Sequence, residues 1–185
     1  MAYNNKNLKK EIASLQSNGK NYGVIKNCYQ PTPTIDHLKE IVSKSSTKPN
    51  AQINDPSIHQ MIKYFLEECV NVYPNTDHKL YIISNPNSRN SAPESSGTKL
   101  HKDPMPIIHW QCRGATIWKI GNHAVSNGRI QNEAGGYVWD SEWTQEPDCF
   151  ILEPGDVIWF ESGVWHETEN LTEKYSVVFE VESGK

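Results

Sequence analysis

Beyond about residue 78 the chain is written in short apolar runs closed by Gly, Pro, Asn or Asp, which constrains its fold more than any other feature. Runs of this length suit strands rather than helices with a buried stripe. They fall at Leu80–Ser84, Ile107–Arg113, Ala115–Ile120, Tyr137–Trp143, Cys149–Leu152, Val157–Phe160, Val164–Thr168 and Tyr175–Val181. The polar stretch Gly121–Gly136 reads as a connection or a hairpin. All six tryptophans lie at or beyond Trp110, so this half is expected to carry the packed core. No internal repeat interrupts the pattern.

Before residue 78 the spacing is helical. Asn7–Gln16 forms one short amphipathic pattern, and a second starts at Thr34, a good N-cap, and runs to about Ser43. The third, Pro56–Tyr73, repeats Ile58, Met61, Ile62, Phe65, Leu66, Cys69 and Val70 at three- and four-residue steps. Pro74 stops it. The polar stretch Ser43–Asn54 reads as a loop. The expected organisation is one domain, with residues 1–77 as a helical decoration and 78–185 as the core built of strands. A chain of 185 residues has room for one such core.

Charge and cysteine content narrow the class. A net charge of -4 with scattered Lys and Arg gives no nucleic-acid footprint, so no nucleic-acid partner is expected. No apolar stretch approaches the roughly 20 residues of a membrane span, and none follows Met1 as a signal sequence would. Cys28, Cys69, Cys112 and Cys149 have no zinc or redox spacing and are read as free thiols. A cytoplasmic location is expected.

The chemistry is carried by histidines. His101-Lys102-Asp103 places an imidazole and a carboxylate two residues apart, and in a strand such residues share a face. A third ligand would complete a facial triad, which binds iron(II) and leaves other coordination positions open. His166 is the candidate. It follows a turn at Pro154-Gly155-Asp156, a buried strand and a second turn at Glu161-Ser162-Gly163, which bring the chain back on itself. A lone His-x-Asp or a lone Pro-Gly-Asp says little; both in this order, among strands throughout, define a metal site. The competing reading makes His101 and Asp103 a surface pair and His166 a core histidine. His109 and His123 lie nearby, and His109 is kept as a substrate contact or a support for the ligands. His37, His59 and His78 read as surface or packing residues.

At these positions the chain resembles the cupin-type, double-stranded β-helix oxygenases that use iron(II) and 2-oxoglutarate, the JmjC-like and asparaginyl-hydroxylase branch in particular. His101-Lys102-Asp103 is followed by Gln111, Gly114 and Trp118 in that branch's order, and Gly155, Glu161, Gly163, His166 and Asn170 follow the second cupin motif with Glu161 in place of Pro. The resemblance covers about residues 78–182. It implies a mainly β jelly-roll barrel with the N-terminal helices packed outside, Fe(II) on His101, Asp103 and His166, and 2-oxoglutarate as co-substrate. Gln111 and Trp118 become supporting or substrate residues.

The co-substrate's distal carboxylate needs a basic residue, which the JmjC-like branch supplies just after the Gly of the first motif. Here that position is Thr116, while the branch's hydroxyl three residues before the first His is present as Thr98. Prolyl-hydroxylase-like members place Arg or Lys-x-Ser or Thr on the strand after the distal His, and Lys174-Tyr175-Ser176 resembles this. An exposed turn lysine reads Lys174 equally well, and Lys119 is a third candidate. The implied reaction is hydroxylation of a substrate C–H bond coupled to oxidative decarboxylation of 2-oxoglutarate. A small molecule or a peptide would serve as substrate. Two other readings stand beside it: a cupin metalloenzyme that does not use 2-oxoglutarate, and an inactive cupin binding module. The polar run Asn85–Thr98, which leads into His101, is expected to act as a lid. Tyr137, Trp139 and Trp143 are expected to line the substrate opening or to pack in the core.

Overall fold

A computed structural model of the protein describes residues 4–45, 50–53, 59–85, 98–131 and 137–182. Most of the expected lid (86–97) and the start of the third helical pattern (54–58) lie outside these residues. In chain order the elements are β1 (Asn4–Asn5), α1 (Leu8–Ser17), β2 (Tyr22–Ile25), β3 (Tyr29–Gln30), α2 (Ile35–Ser45), β4 (Asn50–Gln52) and α3 (Gln60–Val72), followed by strands alone. These are β5 (His78–Asn85), β6 (His101–Lys102), β7 (Ile107–Arg113), β8 (Thr116–Gly121), β9 (Ala124–Gln131), β10 (Tyr137–Trp143), β11 (Asp148–Leu152), β12 (Val157–Phe160), β13 (Trp165–Asn170) and β14 (Lys174–Val181). No helix among the described residues is long and apolar enough to cross a membrane.

Two antiparallel sheets face one another in a double-stranded β-helix. The larger has the order β2-β12-β7-β14-β5-β4 and the smaller β11-β8-β13-β6. The strands at the centre of the larger sheet are buried on both faces, and period-two alternation sorts their side chains. Ile108, Trp110, Cys112, Val157, Trp159, Val177 and Phe179 point outward and pack with Leu8, Ile12, Leu38, Met61, Ile62 and Phe65 of the helices. Ile107, Ile158, Phe160 and Val178 point inward and meet Trp118, Ile120 and Leu152 of the smaller sheet. The polar residues of β7 and β14 that share the inward parity, His109, Gln111, Lys174 and Ser176, are also buried.

One feature differs from the sequence reading. The region before residue 78 supplies strands as well as helices: β2 pairs with β12 and β4 with β5, at opposite edges of the larger sheet. β4 falls in the stretch expected to be a loop. Both strands are short, and their pairing is with distant segments, so local pattern does not announce them. The 121–136 stretch holds β9, which forms a hairpin with β10 outside both sheets.

The Pro154-Gly155-Asp156 turn ties the N-terminal segment to the barrel. Gly155 has φ +101, and its carbonyl accepts from the backbone N–H of Cys28 (2.8 Å) and Tyr29 (3.1 Å). A Cβ there would collide with Gln30 Nε2, so only glycine fits. The buried Asp156 carboxylate accepts from Asn27 N (2.9 Å), Glu153 N (2.8 Å) and Lys26 Nζ (2.6 Å). Asp156→Ala strands two backbone donors and is expected to destabilise the fold by about 2–4 kcal/mol in urea unfolding. An unchanged midpoint would show that this turn does not hold the two parts together.

Candidate metal centre

Strand β6 is only two residues long, yet its register decides the site. It pairs antiparallel with β13 so that His101 lies directly opposite His166, and Lys102 opposite Trp165. The two imidazole centroids are 4.2 Å apart. Asp103 follows immediately, and its carbonyl accepts from Gly163 N–H at 2.7 Å, which binds it to the turn before β13. Asp103 Oδ1 is 3.8 Å from His101 Nε2, and Oδ2 is 3.5 Å from His166 Nε2. All three donor atoms lie within 4.8 Å of one another.

Both rings present the same nitrogen to this focus. His101 Nδ1 is 2.7 Å from the carbonyl of Lys99, and His166 Nδ1 is 3.1 Å from the carbonyl of Val164. A carbonyl only accepts, so each Nδ1 carries the proton and each Nε2 keeps its lone pair for a cation. Phe160 at 4.5 Å and Trp118 at 5.8 Å brace the His166 ring. Burial, with a smaller effect from His101, lowers the His166 pKa to about 3, so its neutral form is strongly favoured. Burial raises Asp103, opposed by His101. Two imidazoles that turn Nε2 to a common focus, with a carboxylate, form the donor set of a non-haem iron(II) site.

Inward from the triad the barrel is lined by polar groups with few protein partners. Lys174 is 4% exposed, and no acidic side chain among the described residues pairs with it. Its Nζ sits 5.7 Å from the Trp118 ring centre, and burial lowers its pKa to about 8. Buried beside it in sequence, Ser176 donates to Gln111 Oε1 at 3.1 Å. Gln111 gives its own amide protons to the carbonyls of Arg113 (2.8 Å) and Gly114 (3.1 Å). His109 Nε2 and Trp118 Nε1 are buried without a hydrogen-bond partner. Thr116 is buried and bonds Asn170 Oδ1 at 3.5 Å, whereas the exposed Thr98 bonds Thr168 Oγ1 at 2.9 Å. Unpartnered buried polar atoms and an unpaired ammonium fit an anionic ligand held inside the barrel.

Other candidates lie elsewhere. Lys119 pairs with Glu167 at 3.2 Å, and Glu167 also accepts from Trp143 Nε1 at 3.0 Å. Strand alternation puts Lys119 opposite the inward Thr116 and Trp118, so it does not share the triad's face. His37 and His59 face each other at 5.0 Å, and His59 caps α3 by accepting from Met61 N. His78 stacks on Phe179, and His123 is exposed. The side chains of Tyr137 and Trp139 lie outside the described residues. One pair was missed from sequence: Tyr81 donates to Glu180 Oε2 at 3.1 Å. Burial and Glu180 raise the Tyr81 phenol, with a smaller contribution from Asp103 that puts the pair close to the triad. Both residues have the inward parity of their strands, which was the available signal.

A double-stranded β-helix with two histidines and a carboxylate at its mouth defines a JmjC-type metal-binding barrel. Residues 40–184 match the family model of the JmjC domain, and the chain belongs to that family. A crystal structure of ycfD from Escherichia coli matches with a TM-score of 0.62 and 14% identity, covering 100% of this chain and 55% of that one. The same ribosomal oxygenase in complex with cobalt and 2-oxoglutarate matches at 0.57 and 13%, over 94% and 52%. Its complex with cobalt and succinic acid matches at 0.56 and 13%, over 94% and 52%. The chain thus spans about half the length of these solved structures. No curated protein matches its sequence.

About one Mn(II) per chain is expected in equilibrium dialysis. His101→Ala or His166→Ala should abolish binding. Asp103→Ala should weaken it strongly while the circular dichroism stays that of the parent, because barrel packing does not depend on the metal. A triple Ala variant that binds Mn(II) as the parent does would rule out this site.

Proposed function

We propose that the chain is an Fe(II)- and 2-oxoglutarate-dependent hydroxylase, with His101, Asp103 and His166 as the metal ligands. The observation that carries the reading is a buried, unpaired Lys174 in the same barrel interior as a convergent two-histidine, one-carboxylate set. An isolated ammonium loses several kcal/mol of hydration on burial, and a bound carboxylate offsets that loss. Iron bound there, with dioxygen and 2-oxoglutarate, supplies the oxidation of a substrate C–H bond, and 2-oxoglutarate leaves as succinate and carbon dioxide.

The protein's part is position and exclusion of water. Lys174 holds the distal carboxylate, with Ser176 and Thr116 as the hydroxyl-bearing residues of the same seat, whereas Thr98, expected there from the resemblance, is exposed and engaged with Thr168. Ser176 also orients Gln111, and Thr116 contributes bulk where related proteins carry a lysine. Ile158, Phe160, Val178 and Trp118 keep the seat dry. No side chain has to serve as acid or base. The substrate is a small molecule or a peptide, and nucleic acid is disfavoured by the charge of -4. Four free cysteines, three of them buried, agree with a reducing, cytoplasmic location.

A cupin enzyme that does not use 2-oxoglutarate is favoured by one observation, the absence of a lysine at Thr116. Succinate and carbon dioxide release by the iron-loaded chain separates the two readings, since only the first requires them. Lys174→Ala is expected to raise the 2-oxoglutarate requirement roughly ten- to a hundredfold, the loss of one charge-assisted bond, with iron affinity nearly unchanged. Unaltered dependence in that variant would reject Lys174 as the anchor.

The ammonium form of Lys174 is the one that binds an anion, and the anion raises its pKa. Affinity should therefore be full below about pH 8 and fall as pH rises through that value. Titration of the Mn(II)-loaded chain with 2-oxoglutarate across this range measures it, and a flat profile would contradict the assignment.

A further inference from the structure

Trp118 braces His166 and helps to keep the seat dry, yet neither task uses its indole N–H. The side chain faces inward from β8 and is buried with the apolar residues of the barrel interior. Its ring centre lies 5.8 Å from the His166 ring and 5.7 Å from Lys174 Nζ. One indole thus lies alongside both a metal ligand and the ammonium, the two ends of the proposed seat. The His109 ring meets it at 4.9 Å, close to perpendicular.

That N–H is buried without a hydrogen-bond partner among the described residues. A donor taken out of water and left bare is costly. Its neighbours across the sheet offer it nothing: Phe150 of β11 has no acceptor, and the Thr168 hydroxyl of β13 is engaged with Thr98. Other unpartnered atoms lie in different surroundings. Trp110 Nε1 and the Tyr29 hydroxyl belong to the core under the helices, where their rings pack at 5.3 Å, and Ser141 sits on the outer hairpin. Trp118 Nε1 and His109 Nε2, by contrast, are carried on touching rings beside an ammonium that pairs with no acid among the described residues. An indole N–H and an ammonium can only donate. A group that satisfies both must accept, and a carboxylate has the lone pairs to do so.

We propose that the indole N–H of Trp118 donates a hydrogen bond to the bound co-substrate, so that the dicarboxylate is gripped from β8 by a neutral donor as well as from β14 by Lys174. The inference rests on the proposed function. It returns to β8 a share of the grip that a lysine on that strand gives in related proteins. Thr116 stands at that lysine's position, and Trp118, two residues on, shares its face. A neutral donor adds direction without a second buried charge, which is more costly to enclose than an N–H. Trp118 acts on position and not on the oxidation itself.

The test is nuclear magnetic resonance of the full chain, labelled with nitrogen-15 at the indoles and loaded with Zn(II), which is diamagnetic and does not turn over. Six tryptophans give six indole N–H signals, and the one missing from Trp118→Phe is that of Trp118. Saturating 2-oxoglutarate should move this signal downfield, as a new hydrogen bond does. Replacing Trp118 by 3-benzothienylalanine keeps the two fused rings against His166 and removes only the N–H. That variant should match the parent in Zn(II) affinity and circular dichroism, and bind 2-oxoglutarate about five- to thirtyfold more weakly in calorimetric titration. Lost packing would not produce this split. A Trp118 signal that stays in place while 2-oxoglutarate binds, or a benzothienylalanine variant with parental 2-oxoglutarate affinity, overturns the inference and leaves the hydroxylase reading intact. A parent that binds Zn(II) but no 2-oxoglutarate overturns both.

Discussion

Burial of β7, β12 and β14 on both faces is the constraint from which the rest of the structure follows. A strand sends successive side chains to opposite sides, so each of these strands must satisfy two environments at once. Toward the helices they present Trp110, Trp159 and Phe179. Toward the smaller sheet they present apolar residues interleaved with His109, Gln111, Lys174 and Ser176. The outward face supplies much of the hydrophobic burial that anchors the sheet. The inward face can then carry polar chemistry that a sheet with one buried face would leave in water.

The inward polar groups are not a random sample. Buried within the barrel are two histidines and a lysine, and the Asp103 carboxylate is turned to the imidazoles at the mouth. The buried acid Asp156 is taken up by Lys26 and two backbone donors at the turn. Lys174 is thus left without an acid partner next to a site suited to a divalent cation. A dianion that bridges the two resolves this imbalance, and the unpartnered His109 and Trp118 nitrogens give it further polar company.

Several of these features were readable in the sequence. His-x-Asp reads as a shared face because strand parity is local, and Gly163 before His166 announces the turn that returns the chain. The family resemblance at Gln111, Gly114 and Trp118 gave the barrel. Lys174 and Ser176 were readable as neighbours on one face, but whether that face was buried or wet was not. Lys119 and Lys174 look equivalent as letters; one is paired with Glu167 on the outer face, the other is enclosed without an acid. β2 and β4 were unreadable because short edge strands owe their form to the partner they meet.

By itself the sequence determined the alternation of faces, the positions of the turns and the shared face of His101 and Asp103, because these depend on neighbours a few residues away. Only the tertiary structure decided that His101 stands opposite His166, that Lys174 is enclosed, and that Gln111 spends both amide protons on backbone. Register, burial and hydrogen-bond partnership are set by segments far apart in the chain. His109 marks the division: its letter was legible, but its missing partner became visible only when β7, β8, β13 and β14 closed around it.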